Sequence, residues 1–182
     1  MKTPPDKSLL PPLPPQFSAE IVRSDGDRTK VYLDGSMRRI EMYFQAGQSN
    51  IIITRPDKGL MWSLEPEAKT YSQSRLPKGL DRLLDPDTLC EWTLDGTAVI
   101  DGHQCRRFVG RYRGQTGPIG EAYELCFVDV KTQMRRRMVT FDLKGKRALT
   151  IDYLNSVVGP PPRAVFELPE GYKRGYHRRK KY

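Results

Sequence analysis

Cysteine, histidine and long apolar runs are scarce in this 182-residue chain, and each scarcity excludes a class of protein. Three cysteines are too few for a disulfide scaffold, and they lack the close paired spacing of a zinc site. The longest apolar runs are short pieces such as 50–54, far below the roughly 20 residues that a membrane-spanning helix needs. We therefore expect no membrane-spanning helix, no metal site and at most one disulfide bridge.

Motifs for catalysis are also missing. The sequence has two histidines, His103 in a predicted hairpin tip and His177 near the C-terminus, and neither neighbours a plausible nucleophile. It contains no Gly-x-Ser-x-Gly elbow, no P-loop, no Gly-x-Gly-x-x-Gly after a strand and no His-Glu-x-x-His. We interpret the chain as non-enzymatic, with no catalytic residue and no cofactor.

A β pattern begins at Phe17. Runs rich in β-branched and aromatic residues alternate with turn signals such as Asp34-Gly35 and Asp101-Gly102, which is typical of an antiparallel meander. The predicted fold class is mainly β: a single curled antiparallel sheet, a half-open β-barrel of about eleven strands, with one or two short helices at 77–84 and 162–166. Asp95-Gly96 lies inside a strand run and predicts a bulge. The strands are predicted near 17–23, 28–34, 36–44, 49–55, 60–65, 69–74, 90–100, 103–113, 121–131, 134–143 and 146–157.

Three segments follow from composition. Residues 1–16 contain six of the fifteen prolines and are expected to form an extended leader. Residues 17–172 form the β domain. Residues 173–182 are a basic tail, whose six Lys and Arg residues account for two thirds of the net charge of +9. Such a tail attracts an anionic membrane surface or nucleic acid, or is a solvated terminus. The predicted anionic-surface residues are Arg178, Arg179, Lys180 and Lys181.

A curled sheet of about ten strands has a concave face, which either closes on its own side chains or leaves an apolar cavity. Strict alternation places apolar residues on one side of each strand. We assign these residues to one apolar concave face that binds a ligand. They are Ile40, Met42 and Phe44, then Trp62 and Leu64 beside Leu60, then Trp92 and Leu94, and finally Tyr123, Leu125 and Phe127.

Cys105 and Cys126 lie on adjacent predicted strands, so they form either a disulfide or a pair of buried small hydrophobic residues. Basic pairs such as Arg38-Arg39 and Arg106-Arg107 are expected to split between the two faces of the sheet, because consecutive strand residues point in opposite directions.

Several segments, in this order, resemble an exported bacterial family related to the outer-membrane lipoprotein carriers, the LolA/LolB-like superfamily. Each segment alone has the residue pattern of an ordinary β-hairpin, but the ordered set covers most of residues 20–172. The segments are VYLDGSMRRIEM at 31–42, IIITRPDKGLMWSLEP at 51–66, KTY at 69–71, GTAVIDGHQC at 96–105 and VFELPEGY at 165–172.

The resemblance implies a half-open β-barrel whose cavity binds acyl chains, and a periplasmic protein whose export signal is absent from this sequence. It therefore implies a cell-envelope protein that binds a lipid, a lipoprotein acyl chain or another apolar ligand. Two alternatives remain: a protein-interaction or structural β domain without a lipid ligand, and a binder of nucleic acid or an anionic surface through the basic tail.

Overall fold

The computed structural model describes residues 10–76, 90–112 and 122–175. Within them the strands form one sheet in the order β12-β6-β5-β4-β3-β2-β1-β11-β10-β9-β8-β7. The registered neighbours are antiparallel apart from the short parallel pair β12–β6. The strands are β1 Gln16–Arg23, β2 Arg28–Asp34, β3 Met37–Tyr43, β4 Ser49–Arg55, β5 Leu60–Glu65, β6 Thr70–Arg75, β7 Cys90–Ile100, β8 His103–Tyr112, β9 Tyr123–Asp129, β10 Arg135–Phe141, β11 Arg147–Val158 and β12 Lys173–Arg174.

The predicted fold class is confirmed: the protein is mainly β and is built on one open sheet. All eleven predicted strands are present, with ends that differ from the predictions by two residues or fewer. The twelfth strand was not predicted, because Lys173 and Arg174 were assigned to the basic tail. A 3₁₀ turn at Arg163–Phe166 confirms the second predicted short helix, whereas the first, at 77–84, lies outside the described residues.

Turn chemistry fixes the hairpins. Between β7 and β8, Ile100 pairs with His103, so Asp101 and Gly102 form a two-residue loop with φ of 48° and 79°. Both values lie in the left-handed region that a type I′ turn requires. The predicted bulge is also present, because the β7–β8 register shifts between Leu94 and Thr97, around Gly96 at φ 116°.

The chain divides into two compact units. The first, here the N-terminal unit, comprises residues 15–80 and 154–182 and carries β1–β6, β12 and the end of β11. Its core is a cluster of Ile51, Ile53, Trp62 and Leu64, against which Leu168 and Tyr172 pack.

The second, here the central unit, comprises residues 1–14 and 81–153 and carries β7–β10 and most of β11. It buries side chains on both faces of its sheet. On one face Trp92, Phe108 and Cys126 are each no more than 3% exposed. On the other, Phe127 and Val139 cluster with Cys105.

No helix in the described part of the chain is long and apolar enough to cross a membrane.

Candidate functional site

Strand register divides the predicted ligand-binding residues of the N-terminal unit between two faces. Trp62 pairs with Ile53, which pairs with Arg39, so these side chains share a face with Leu64. Ile40 pairs with Ile52, the next residue along β4, and therefore points to the opposite face, as does Met42. The assignment of all these residues to a single face was wrong. We call the two sides the Trp62 face and the Arg38 face.

The Trp62 face is covered by the chain's own C-terminal segment, residues 163–172. Leu168 and Tyr172 pack on the cluster around Trp62, and Phe166 is fully buried. Ile53 and Leu64 have no exposed surface. Trp62 and Leu64 are therefore core residues rather than a surface that a ligand can reach.

Two arginines fix this C-terminal segment to the sheet. Arg55, at the end of β4, is 2% exposed and donates to the carbonyl oxygen of Phe166 at 3.2 Å and to a carboxylate oxygen of Glu167. Its Nε and Nη2 donate to the two oxygens of Asp57 at 2.8 and 2.7 Å. Arg39 donates to the carbonyl oxygen of Val165 at 3.0 Å. Charge-assisted hydrogen bonds, and bidentate ones such as that between Arg55 and Asp57, are stronger than hydrogen bonds between neutral groups.

The ionisation of the same groups reflects these bonds. The hydrogen bonds from Arg55 lower the pKa of Asp57 to about 2. The bonds from Lys58 and then Arg55 hold the pKa of Glu167 below its ordinary value. The pKa of Arg55 is raised, chiefly by its bond to Asp57. These charges therefore persist across the neutral range and keep the segment in place.

The Arg38 face has a different character. The pairing of β1 to β5 gathers apolar side chains on it that are neither fully buried nor exposed. At its β1 end, Phe17 and Ala19 are buried. The half-buried members are Ile21, Val31, Leu33, Ile40, Met42, Ile52 and Met61.

Arg38 lies among these apolar residues. It pairs with Leu33 on β2 and with Thr54 on β4, and it is half-buried. Its guanidinium makes no ion pair or hydrogen bond with any residue that the structure describes, whereas its neighbour Arg39 bonds Glu41 on the other face. The predicted splitting of the Arg38-Arg39 pair is confirmed. Phe44, assigned to the same site, follows the end of β3 and is 41% exposed.

The central unit separates its predicted residues in the same way. Leu94 pairs with Phe108, which pairs with Cys126, whereas Leu125 pairs with Val109. Trp92 and Leu94 thus lie on the face opposite Tyr123, Leu125 and Phe127, and their assignment to one face was wrong. Trp92 is 3% exposed and Leu94 is 55% exposed.

Two shallow depressions lie on the face of the central unit that carries Phe127, and Leu125 lines both. One, of about 380 Å³, is mainly apolar. The other, of about 580 Å³, is bordered by Arg107 and Asp95, which form an ion pair at 2.8 Å. Neither depression encloses a ligand-sized volume on all sides, and most of their charged groups are already paired.

The predicted disulfide alternative was wrong. Cys105 pairs with Asp129 and Cys126 with Phe108, so the two thiols lie on opposite faces of the sheet. All three cysteines are buried, and none of them forms a disulfide in the described part of the chain. The other alternative, that they are small buried hydrophobic residues, describes them correctly.

His103 and Asp129 form a second polar cluster. Nδ1 of His103 lies 2.8 Å from Oδ2 of Asp129, which also accepts from Arg136. Burial raises the pKa of Asp129, but bonds from the backbone N–H groups of Thr132 and Lys131 and from Arg136 outweigh it and bring the value to about 2. These backbone bonds identify Asp129 as a turn-forming residue. Among the described residues, no group of three or more His, Cys, Asp or Glu side chains could hold a metal ion.

The four basic residues assigned to an anionic surface, 178–181, lie outside the described residues. Arg38 was not selected from the sequence, although its position in an alternating strand with Ile40 and Met42 was a usable signal. A charged residue in phase with an apolar row is expected to share that row's face.

No protein-family model matches the sequence, and no curated protein matches it. Solved structures do share its fold. An uncharacterized conserved protein from Thermus thermophilus is 14% identical with a TM-score of 0.62, covering 90% of this chain and 91% of that one. The Pseudomonas aeruginosa MucA/MucB complex matches at 12% identity and a TM-score of 0.55, covering 84% of this chain and 55% of that one. The lipoprotein LppX of Mycobacterium tuberculosis matches at 9% identity and a TM-score of 0.49, covering 82% and 89%.

The likenesses to the Thermus thermophilus protein and to the MucA/MucB complex, at 14% and 12% identity, show a shared fold, and membership of the LolA/LolB-like superfamily stays a prediction from the sequence segments. The chain spans about half the length of the MucB chains that it matches.

Proposed function

We propose that this chain is a non-enzymatic cell-envelope protein, working in the periplasm, that binds the acyl chain of a lipid or lipoprotein on the Arg38 face. The observation that carries the proposal is the asymmetry of the N-terminal unit. Its Trp62 face is sealed by residues 163–172, whereas its Arg38 face gathers seven half-buried apolar side chains. The resemblance of its sequence segments to the LolA/LolB-like superfamily supports the same proposal.

Burial of apolar surface supplies the affinity. Each methylene group transferred from water to an apolar surface contributes about 0.8 kcal/mol. A chain of a dozen carbons lying across β1–β5 therefore offsets the cost of association. Arg38 adds direction, because its guanidinium can donate to a carboxylate, phosphate or ester oxygen at the polar end of such a ligand.

The first experiment is native mass spectrometry of the protein purified from a bacterial host, followed by solvent extraction and lipid analysis. A co-purifying acyl ligand is expected. Delipidated protein is then titrated with two fluorescent probes of equal chain length, a fatty acid and the corresponding fatty alcohol.

Two variants test the face directly. Arg38→Gln is expected to weaken the fatty acid about tenfold, the value of one charge-assisted bond, and to leave the alcohol unchanged. Met42→Gln keeps the side-chain volume and is expected to weaken both probes. Arg163→Gln is the matched control, since Arg163 is exposed and has no side-chain partner in the part of the chain that the structure describes.

Failure of delipidated protein to bind either probe would overturn the proposal. That result would favour the alternative, a protein-interaction or structural β domain without a lipid ligand.

A further inference from the structure

The hairpin between β10 and β11 carries a cluster of cations that no described residue pairs with. Its tip comprises residues 142–147, with the sequence Asp-Leu-Lys-Gly-Lys-Arg. Lys144, Lys146 and Arg147 are exposed, and none of the three side chains makes an ion pair or hydrogen bond within the described ranges. Most other arginines of the central unit that are described have a carboxylate or amide partner, as Arg137 has in Asp152.

The carboxylate within the tip is occupied by the turn itself. Oδ1 of Asp142 accepts the backbone N–H groups of Lys144 and Lys146, both at 2.9 Å. The N–H of Gly145 donates to the carbonyl oxygen of Asp142, and Gly145 has the positive φ that this turn requires. The hydrogen bonds to Asp142 thus hold the loop in one conformation. The side chains of Lys144, Lys146 and Arg147 are exposed on this loop.

An apolar side chain stands at the same tip. Leu143 is 47% exposed beside Lys144. Arg147 pairs with Phe141, which stacks on Tyr123 with ring centroids 4.6 Å apart. Arg147 and Phe141 both line the apolar depression of about 380 Å³. The apolar depression therefore reaches the base of the tip at Arg147, and Leu143 adds an exposed apolar side chain at the turn itself.

From this juxtaposition we infer that the 142–147 tip docks on an anionic phospholipid surface. Lysine and arginine at such a surface are attracted by its negative potential, and their aliphatic stems let the charged heads stay in the headgroup layer. Leu143 is placed to enter the boundary between headgroups and acyl chains. A phosphodiester backbone would use the cations equally well but gives no role to an exposed leucine at the apex, so the lipid surface is favoured over nucleic acid.

The inference stands apart from acyl binding on the Arg38 face, because it uses other residues and a bilayer rather than a single bound lipid. It is tested with full-length protein by co-sedimentation with large vesicles of phosphatidylcholine alone or mixed with phosphatidylglycerol. Since one charge contributes about fivefold to partitioning, the double variant K144Q/K146Q is expected to lower binding to the anionic vesicles about twenty-five-fold.

The matched control is K69Q/K131Q, which removes the same charge from two other exposed turns. It is expected to change binding by less than threefold, because diffuse charge is screened within about 10 Å at 0.1 M salt. Equal loss in both double variants would show attraction by net charge alone and would overturn the inference. So would unchanged binding in K144Q/K146Q, the result expected if the basic C-terminus carried the attraction.

A spectroscopic readout separates insertion from electrostatic contact. Leu143→Cys can be labelled selectively with an environment-sensitive dye, because the three native thiols are buried. A blue shift of the dye on anionic vesicles, retained in part at high salt, is expected. No shift, or tighter binding to duplex DNA than to anionic vesicles at the same salt concentration, would overturn the lipid assignment.

Discussion

Arg55 donates a hydrogen bond to the backbone carbonyl of Phe166, a residue 111 positions further along the chain, at 3.2 Å. Arg55 is 2% exposed and Phe166 is fully buried, so the bond lies inside the protein. It fixes the C-terminal segment against β4, and this segment closes the Trp62 face. The guanidinium of Arg55 thereby helps to keep the Trp62 face buried as core, whereas the Arg38 face is not covered by this segment.

Replacement of Arg55 by methionine is expected to lower the free energy of unfolding by about 2 kcal/mol. The buried carbonyl of Phe166 loses its donor, and an unsatisfied buried polar group costs roughly 1–3 kcal/mol. Asp57 and Glu167 are less affected, because both carboxylates are partly exposed and can be hydrated. Urea denaturation measures the loss. Arg163→Met is the control and is expected to change stability by less than about 0.5 kcal/mol. An equal effect in the two variants would remove the role assigned to Arg55.

Stability is expected to fall on acidification below about pH 4. Asp57 and Asp129 have folded-state pKa values of about 2, below the ordinary value of 3.8. A carboxylate with a depressed pKa stabilises the fold at pH values above its ordinary value, and this contribution is lost as the pH falls towards the folded value. The unfolding free energy measured between pH 5 and pH 2 should therefore decrease steadily. Asp129→Asn should lower stability at pH 7 and flatten the curve in this window, and an unchanged slope in that variant would contradict the assignment.

The strands could be predicted because the signals that define them are local. Alternation, β-branched runs and Asp-Gly turns place each strand end within two residues, and the glycine of Asp95-Gly96 marks the bulge. The twelfth strand escaped prediction because Lys173 and Arg174 have little β preference. Their pairing with β6 is set by the packing of the preceding segment.

The sequence did not predict which residues of neighbouring strands point to the same face of the sheet, because this depends on the register between strands. β4 and β5 are joined by four residues, so Arg55 pairs with Leu60 and an odd-numbered residue faces an even-numbered one. Trp62 consequently joins Ile53, whereas Met42 joins the opposite face. A prediction made strand by strand does not show whether odd-numbered residues of one strand lie opposite odd- or even-numbered residues of the next. The apolar residues were therefore grouped correctly within each strand and wrongly between strands.

Gly110 is expected to be intolerant of any side chain because of Trp92. A Cβ at this position would lie 2.7–2.8 Å from three ring carbons of the tryptophan, which is itself 3% exposed. Gly110→Ala should therefore destabilise the protein by about 1–3 kcal/mol through overpacking. The same change introduced into a Trp92→Leu background should cost clearly less, since the ring has gone. A double-mutant cycle by urea denaturation measures the coupling, and simple additivity would show that the clash is relieved elsewhere.

The three cysteines are expected to be unreactive in the folded protein and fully reactive after unfolding. Cys90, Cys105 and Cys126 are each no more than 1% exposed, and burial, reinforced by the charge of Asp129, raises the pKa of Cys105. Because the thiolate is the reactive form, both effects slow modification. Treatment with Ellman's reagent at pH 8 should release almost no chromophore from native protein and three equivalents in urea. Protein kept under oxidising conditions should give the same result, because Cys105 and Cys126 face opposite sides of the sheet. A Cys105–Cys126 peptide in a non-reducing digest of folded protein would contradict the strand register itself, and with it the division of the central unit's residues between two faces.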